Sequence, residues 1–314
     1  MYHRKIALVT LSALTFSVSA YSSPMFVYAQ SPIHSNVLST QLRSAEPKRT
    51  GSVEFKSSYT QASIWAHTSD YALDYYQNQT HLALEWQASP VWKTELEYRN
   101  VTAKDNGLDS FVMGFHDLFG IGQNGRDQVE DDQFSMDFHK AGVSISDFEG
   151  DDLTNAVTWY NEVLIVARGP SMLSVGGSLF YNKVKDGQFA RSSFEQSVQA
   201  NYSIVTPRHR IFSTIGLVHR NGNQANVELE NFSFSWAVGY EHAFNMRHSL
   251  VVESLNYHGW ATNDPDFSEP SNEFVLGYRY RLQPVMFEAA MTENIRNMDN
   301  STDIAFTLGL RIQI

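Results

Sequence analysis

From Gly51 onward, apolar and polar side chains alternate in segments of roughly ten residues separated by turn-rich pieces. The last segment is the plainest. Ile304, Phe306, Leu308, Leu310, Ile312 and Ile314 fall on one face, and Asp303, Ala305, Thr307, Gly309, Arg311 and Gln313 on the other. A period of two is that of a strand, since a helix would scatter these positions around its axis. Phe274, Leu276, Tyr278, Tyr280 and Leu282 repeat the pattern, as do Val285, Phe287, Ala289 and Met291, and Phe232, Phe234, Trp236, Val238 and Tyr240. Further strands are predicted at 53–66, 76–88, 92–102, 153–167, 172–184, 193–204, 210–219 and 248–258, which with 302–314 makes twelve. One segment misfits: in 248–258, Glu253 shares a parity with Val251 and Leu255.

The connections fall into two classes. Ala88-Ser89-Pro90, Gly169-Pro170, Thr206-Pro207, Phe244-Asn245 and Gln283-Pro284 read as tight turns, whereas 67–75, 103–151, 185–192, 220–229, 259–271 and 294–301 read as longer loops. Short turns on one side and long loops on the other mark bacterial transmembrane barrels, in which an even strand count returns both ends to the periplasm.

A soluble sandwich also alternates, so the two faces decide. On the apolar face Trp86, Trp92, Tyr202, Tyr240 and Tyr280 all lie within a few residues of a short turn, which places them in one interfacial girdle. The opposite face carries both signs of charge, including Glu85, Lys93, Glu95, Glu97, Arg99, Glu162, Glu195, Arg279, Arg281, Glu288 and Arg311, and suits a lumen. The expected fold is an all-β, antiparallel, up-and-down transmembrane barrel. A two-residue turn at Gln283-Pro284 sets Arg279 opposite Glu288, and a hairpin around Ala88-Ser89-Pro90 sets Glu85 opposite Lys93, giving two ion pairs inside it.

Residues 103–151 are the least strand-like. Leu108, Phe111, Val112, Phe115 and Phe119 recur at helical spacing and predict a short amphipathic helix in a long extracellular or plug loop. After a Gly-rich turn, 134–138 and 143–148 alternate again, and as an extra hairpin in the wall they would raise the count to fourteen. The string Gly114-Phe115-His116-Asp117-Leu118-Phe119-Gly120, followed by Gln123-Asn124-Gly125-Arg126, resembles a stretch of an envelope family, domain of unknown function family 3187. That resemblance implies an outer-membrane barrel over about residues 50 to 314 and supplies no substrate or catalytic residue. The closing Thr307-x-Gly309-x-x-Ile312-x-Ile314 resembles the terminal signal read by the barrel insertion machinery, with Ile where Phe is usual.

The N-terminus sets the compartment. Arg4 and Lys5 precede an uncharged run, 6–18, which closes on Val18-Ser19-Ala20. This reads as a cleaved signal peptide over 1–20, followed by a poorly ordered periplasmic segment, 21–50, and the barrel, 51–314. The run is too short to span a bilayer as a helix. Export and strand closure together place the protein in the outer membrane of a Gram-negative bacterium, with outer-membrane lipids and lipopolysaccharide as its partners. The absence of cysteine excludes disulfide scaffolds and thiolate sites. The net charge of -11, which becomes -13 without Arg4 and Lys5, argues against nucleic acid.

Three constellations could carry chemistry. His116 and Asp117 are adjacent, so on a helix their side chains diverge by about 100°. His67 and Ser69 share a strand face, as a base and a hydroxyl would, but no third orienting group can be named. Asp127, Glu130, Asp131 and Asp132, with Asp147, Glu149, Asp151 and Asp152, match no calcium-loop spacing and read as a solvated surface. The chain is therefore read as a non-enzyme with no cofactor or metal. A pore for small solutes comes first, then a structural or surface-interaction barrel with a filled lumen, then a lipid-modifying enzyme built on His67 and Ser69.

Overall fold

A computed structural model describes residues 23–108, 133–139, 142–220, 223–224, 227–228, 230–259, 268–294, 296–297, 300 and 302–314. The expected signal peptide lies outside the described residues, as do the loop-motif residues Phe115, His116, Asp117, Asn124, Gly125 and Arg126. The strands in chain order are β1 (Val53–His67), β2 (Tyr71–Gln87), β3 (Trp92–Ala103), β4 (Ser135–Phe138), β5 (Val143–Ser146), β6 (Asp152–Arg168), β7 (Ser171–Val184), β8 (Arg191–Val205) and β9 (His209–His219). They continue with β10 (Asn223–Gln224), β11 (Val227–Glu228), β12 (Phe232–Ala243), β13 (His248–Tyr257), β14 (Ser271–Leu282), β15 (Val285–Asn294) and β16 (Ile304–Gln313).

Twelve of these form a closed antiparallel ring in the order β1-β2-β3-β6-β7-β8-β9-β12-β13-β14-β15-β16. β16 returns to pair with β1 from Glu54↔Gln313 to Ser63↔Ile304. The ring is sealed at its last residue, where the amides of Val53 and Ile314 each donate to the other's carbonyl, at 3.1 and 2.8 Å. Closure leaves no unpaired edge, which is what lets a sheet stand in hydrocarbon. Both readings of the strand count hold a part of the answer. The ring has twelve strands, and the β4–β5 hairpin adds two more by pairing Ser135–Phe138 with Tyr71–Asp74, beyond the level where β3 ends.

The pleat sorts the faces as the alternation requires. Leu84, Leu96, Trp159, Leu179, Val198, Ile215, Trp236, Leu276, Phe287 and Leu308 are exposed on the outside. Glu95, Glu97, Arg99, Glu162, Glu195, Arg279, Arg281, Glu288 and Arg311 are buried inside. Trp86, Trp92, Tyr202 and Tyr240 are exposed on the outer face near the short-turn end, where Tyr280 is half-buried. The rings of Trp86 and Trp92 lie 6.2 Å apart.

Three expectations are corrected. The 67–75 loop shrinks to Thr68–Asp70, because β1 and β2 run on into it and the Thr68 hydroxyl accepts from the Asp70 and Tyr71 amides, both at 3.1 Å. The expected loop helix lies outside the described residues except for Leu108, whose backbone is helical. The β2–β3 turn is longer than expected, so Lys93 faces Gln87 and Glu85 faces Glu95. Such a two-residue slip keeps every side chain on its own face, which is why the lumen assignment survives it. Residues 24–46, expected to be poorly ordered in the periplasm, are instead almost all buried inside the ring.

Leu96 is 54% exposed on the lipid-facing side of β3. Leu96→Arg is expected to cost about 2–4 kcal/mol of folding in bilayers. Urea titration of the refolded barrel in lipid vesicles checks this, and an unchanged midpoint would contradict the outward assignment.

Candidate functional site

The lumen is the candidate site, and its occupant is the chain's own N-terminal segment. Ser23 and Pro24 meet Arg311 at the short-turn end. The segment climbs to the His34–Asn36 turn, which lies among Gln77, Thr154 and Tyr257 at the long-loop end. It then descends to Lys48, which pairs with Glu54 and with Glu85 at 2.8 Å. Gly51, at φ +85°, supplies the left-handed residue through which this inner segment turns outward into β1.

A chain buried without a ladder must find partners for its amides and carbonyls elsewhere. Here the wall's charges supply them. The amides of Met25, Gln30, Ser31 and Leu38 donate to Glu253, Glu273, Glu273 again and Glu195, at 2.7, 2.7, 2.7 and 2.9 Å. The carbonyls of Pro24, Val37, Leu38 and Ser44 accept from Arg311, Arg99, Arg220 and Lys93, at 2.5, 3.3, 3.1 and 2.5 Å. Those of Ser35 and Asn36 accept from Arg99 and Arg191. Burial, reinforced by the Arg220 guanidinium, holds the His34 imidazole well below its usual pKa, so His34 is neutral.

Apolar contacts fix the segment laterally. Met25, Tyr28, Ala29 and Leu42 pack with Phe212, Ala237, Val251, Leu255, Val275 and Ala290 of the wall. Val251 and Leu255 are the residues whose parity with Glu253 was anomalous: all three face inward, two toward apolar side chains of the segment and one toward the Met25 amide. Wall glycines make room for it. A Cβ on Gly216 would lie 2.4 Å from the Thr40 hydroxyl oxygen, one on Gly239 2.7 Å from Leu42, and one on Gly277 2.8 Å from Met25.

Two ionic clusters line the wall. In the first, Arg279 lies opposite Glu288 with Nε 2.6 Å from its carboxylate, and the same guanidinium reaches Glu241 at 3.0 Å. Arg210 and Arg281 also pair with Glu241, and Arg311 with Glu288. In the second, Arg43 of the inner segment bridges Glu95 and Glu97 at 2.5 Å each, and Lys56 joins Glu85 to Glu95. Lys93 is held by Glu162, its direct cross-strand neighbour, at 2.9 Å and not by Glu85. Between the clusters and the inner segment a cavity of about 40 Å³, lined by Pro24, Arg43, Lys56, Glu85 and Arg311 among others, has room for only a few waters.

The other candidates do not assemble. His67 and Ser69 are exposed and no hydrogen bond joins them: the Ser69 hydroxyl donates to Asp70 at 3.2 Å, and the His67 ring stacks on Trp65. Asp151 and Asp152 accept bonds from Gln188 and from Asn100 and Thr102, and no cluster suited to a metal ion occurs among the described residues.

A family model described as protein of unknown function (DUF3187) matches residues 4–314. The chain belongs to this family. No curated protein matches it. Among solved structures it is similar to the COG4313 outer membrane channel from Pseudomonas putida F1, at 10% identity and a TM-score of 0.55, over 86% of this chain and 98% of that one. Similarity to the NanC porin is lower, at 9% identity and a TM-score of 0.47 over 83% of this chain and 100% of that one. The KdgM porin in complex with disordered oligogalacturonate gives 6% and 0.46 over 83% and 98%. The likeness to the Pseudomonas channel establishes the barrel fold that this DUF3187 member shares with it.

Gly216→Val should force Thr40 out of its seat and loosen the inner segment. Trypsin is then expected to cut after Arg43 in the folded barrel, where wild type resists, and adding Thr40→Gly should restore resistance. Equal cleavage at Arg43 in wild type and variant would show that the segment is not held against this wall.

Proposed function

We propose that this protein is an outer-membrane channel for small polar solutes whose resting state is closed by its own N-terminal segment. The observation that carries the reading is the split in the lumen's charges. Most of the wall's ionic groups pair with one another, as in the Arg210, Arg279 and Arg281 set around Glu241, and would stay paired in an empty lumen. Those that hold the inner segment do so through hydrogen bonds to its backbone, which water can replace, and through the ion pairs of Arg43 and Lys48, which dissolved cations can replace. A net hydrogen bond to a charged group contributes only about 1.5–3 kcal/mol over its hydrated alternative. An inert filler has no need of this arrangement, since apolar packing is at least as stable as buried ion pairs.

The apolar outer face and its aromatic girdle support residence in a bilayer, and strand closure supports the outer membrane of a Gram-negative bacterium. In this reading residues 23–48, which lie inside the ring, supply the closure.

Deleting 23–46 tests this in planar bilayers. The variant is expected to give discrete conductance steps where the full chain gives rare or none. A deletion variant that keeps the heat-modifiable gel mobility of a folded barrel and still fails to conduct would overturn the channel reading.

A further inference from the structure

Resting on the channel reading above, we propose that the seat of Arg43 is a binding site for guanidinium-bearing solutes, occupied in the closed state by the plug's own side chain. The Arg43 guanidinium is held as a ligand would be. Its two terminal nitrogens reach Glu95 and Glu97 at 2.5 Å each, and its central carbon lies 3.8 Å from the centroid of the Tyr160 ring. Carboxylates in the plane and an aromatic ring on the face are the geometry that selects a planar, delocalised cation.

The groups that make the seat belong to the wall and remain when the segment leaves. Tyr160 is fully buried and is fixed by its own hydroxyl, which donates to Glu162 at 2.6 Å and accepts from Asn201 at 2.9 Å. Around the seat, the four carboxylates of Glu54, Glu85, Glu95 and Glu97 face two wall cations, Lys56 and Arg99, because Lys93 is taken by Glu162. Arg43 and Lys48 supply the missing positive charge in the closed state. Withdrawal of the plug therefore uncovers a carboxylate-rich patch on the β1–β3 side, while Arg210, Arg279, Arg281 and Arg311 stay gathered around Glu241 and Glu288 across the lumen. The uncovered patch draws cations to the seat.

Two measurements test the site separately from the channel. In the 23–46 deletion variant, millimolar methylguanidinium is expected to block the conductance severalfold where tetramethylammonium does not. Adding Glu95→Gln and Glu97→Gln should abolish the block. In the full-length chain, Arg43→Ala should speed tryptic cleavage after Lys48 severalfold, and methylguanidinium should slow it again where tetramethylammonium at equal ionic strength does not. A conducting deletion variant that methylguanidinium does not block, with Arg43→Ala unrescued, overturns the site and leaves the channel standing. A silent deletion variant with Arg43→Ala rescued overturns the channel and leaves the guanidinium seat. No rescue in the second assay, whatever the first shows, rules the seat out.

Discussion

Every backbone amide and carbonyl has to be paired, and in this molecule that requirement is met twice by different means. In the wall it is met by ring closure, with each strand laddered to two neighbours and Val53 tied to Ile314 at the seam. In the inner segment it is met by the side chains of the wall, carboxylates for the amides and guanidinium or ammonium groups for the carbonyls. The second solution depends on the first, because only a closed ring with one face turned inward can offer ionic groups to a peptide from all sides.

This double use explains why the lumen carries both signs of charge. A wall lined by one sign would leave either the donors or the acceptors of residues 23–48 without partners, at a cost of about 1–3 kcal/mol for each buried group. The ion pairs within the wall have a different role. Glu241 bridges three arginines that would otherwise repel one another more strongly across β9 and β14, so the cluster holds its geometry without help from the segment. The lumen thus combines a self-sufficient electrostatic frame with a set of groups available to whatever fills it, peptide or water.

The ring was legible in the sequence because strand period and turn length act locally. Ile304 to Ile314 declare their faces without reference to any other part of the chain, and the short turn at Gln283-Pro284 is enough to set Arg279 against Glu288. The β2–β3 turn was not legible to the residue, since Ala88–Val91 allow more than one register and the choice falls to cross-strand partners such as Lys93 and Glu162. The inner segment was harder still. Residues 23–50 have no period, and a segment held by single side chains leaves no repeat to find. Its own sequence reads as a linker.

The trace of the segment lies in the wall. Val251 and Leu255 on the parity of Glu253, and glycines at 216, 239 and 277 on inward positions, make little sense beside water: an apolar side chain gains nothing there, and a glycine only weakens a strand. Both make sense beside Leu42, Met25 and Thr40, which need apolar contact and space. Inward glycines and inward aliphatic residues that cluster on adjacent strands, here β9 and β12–β15, are therefore the mark of a lumen that holds protein. A water-filled lumen shows polar side chains at those positions instead. The β2–β3 face carries no inward glycine around Glu95 and Glu97, and there the segment is met by polar contacts, the hydrogen bond of Gln41 and the ion pairs of Arg43. Contact of the first kind positions the plug; contact of the second kind is the one a dissolved cation could reproduce.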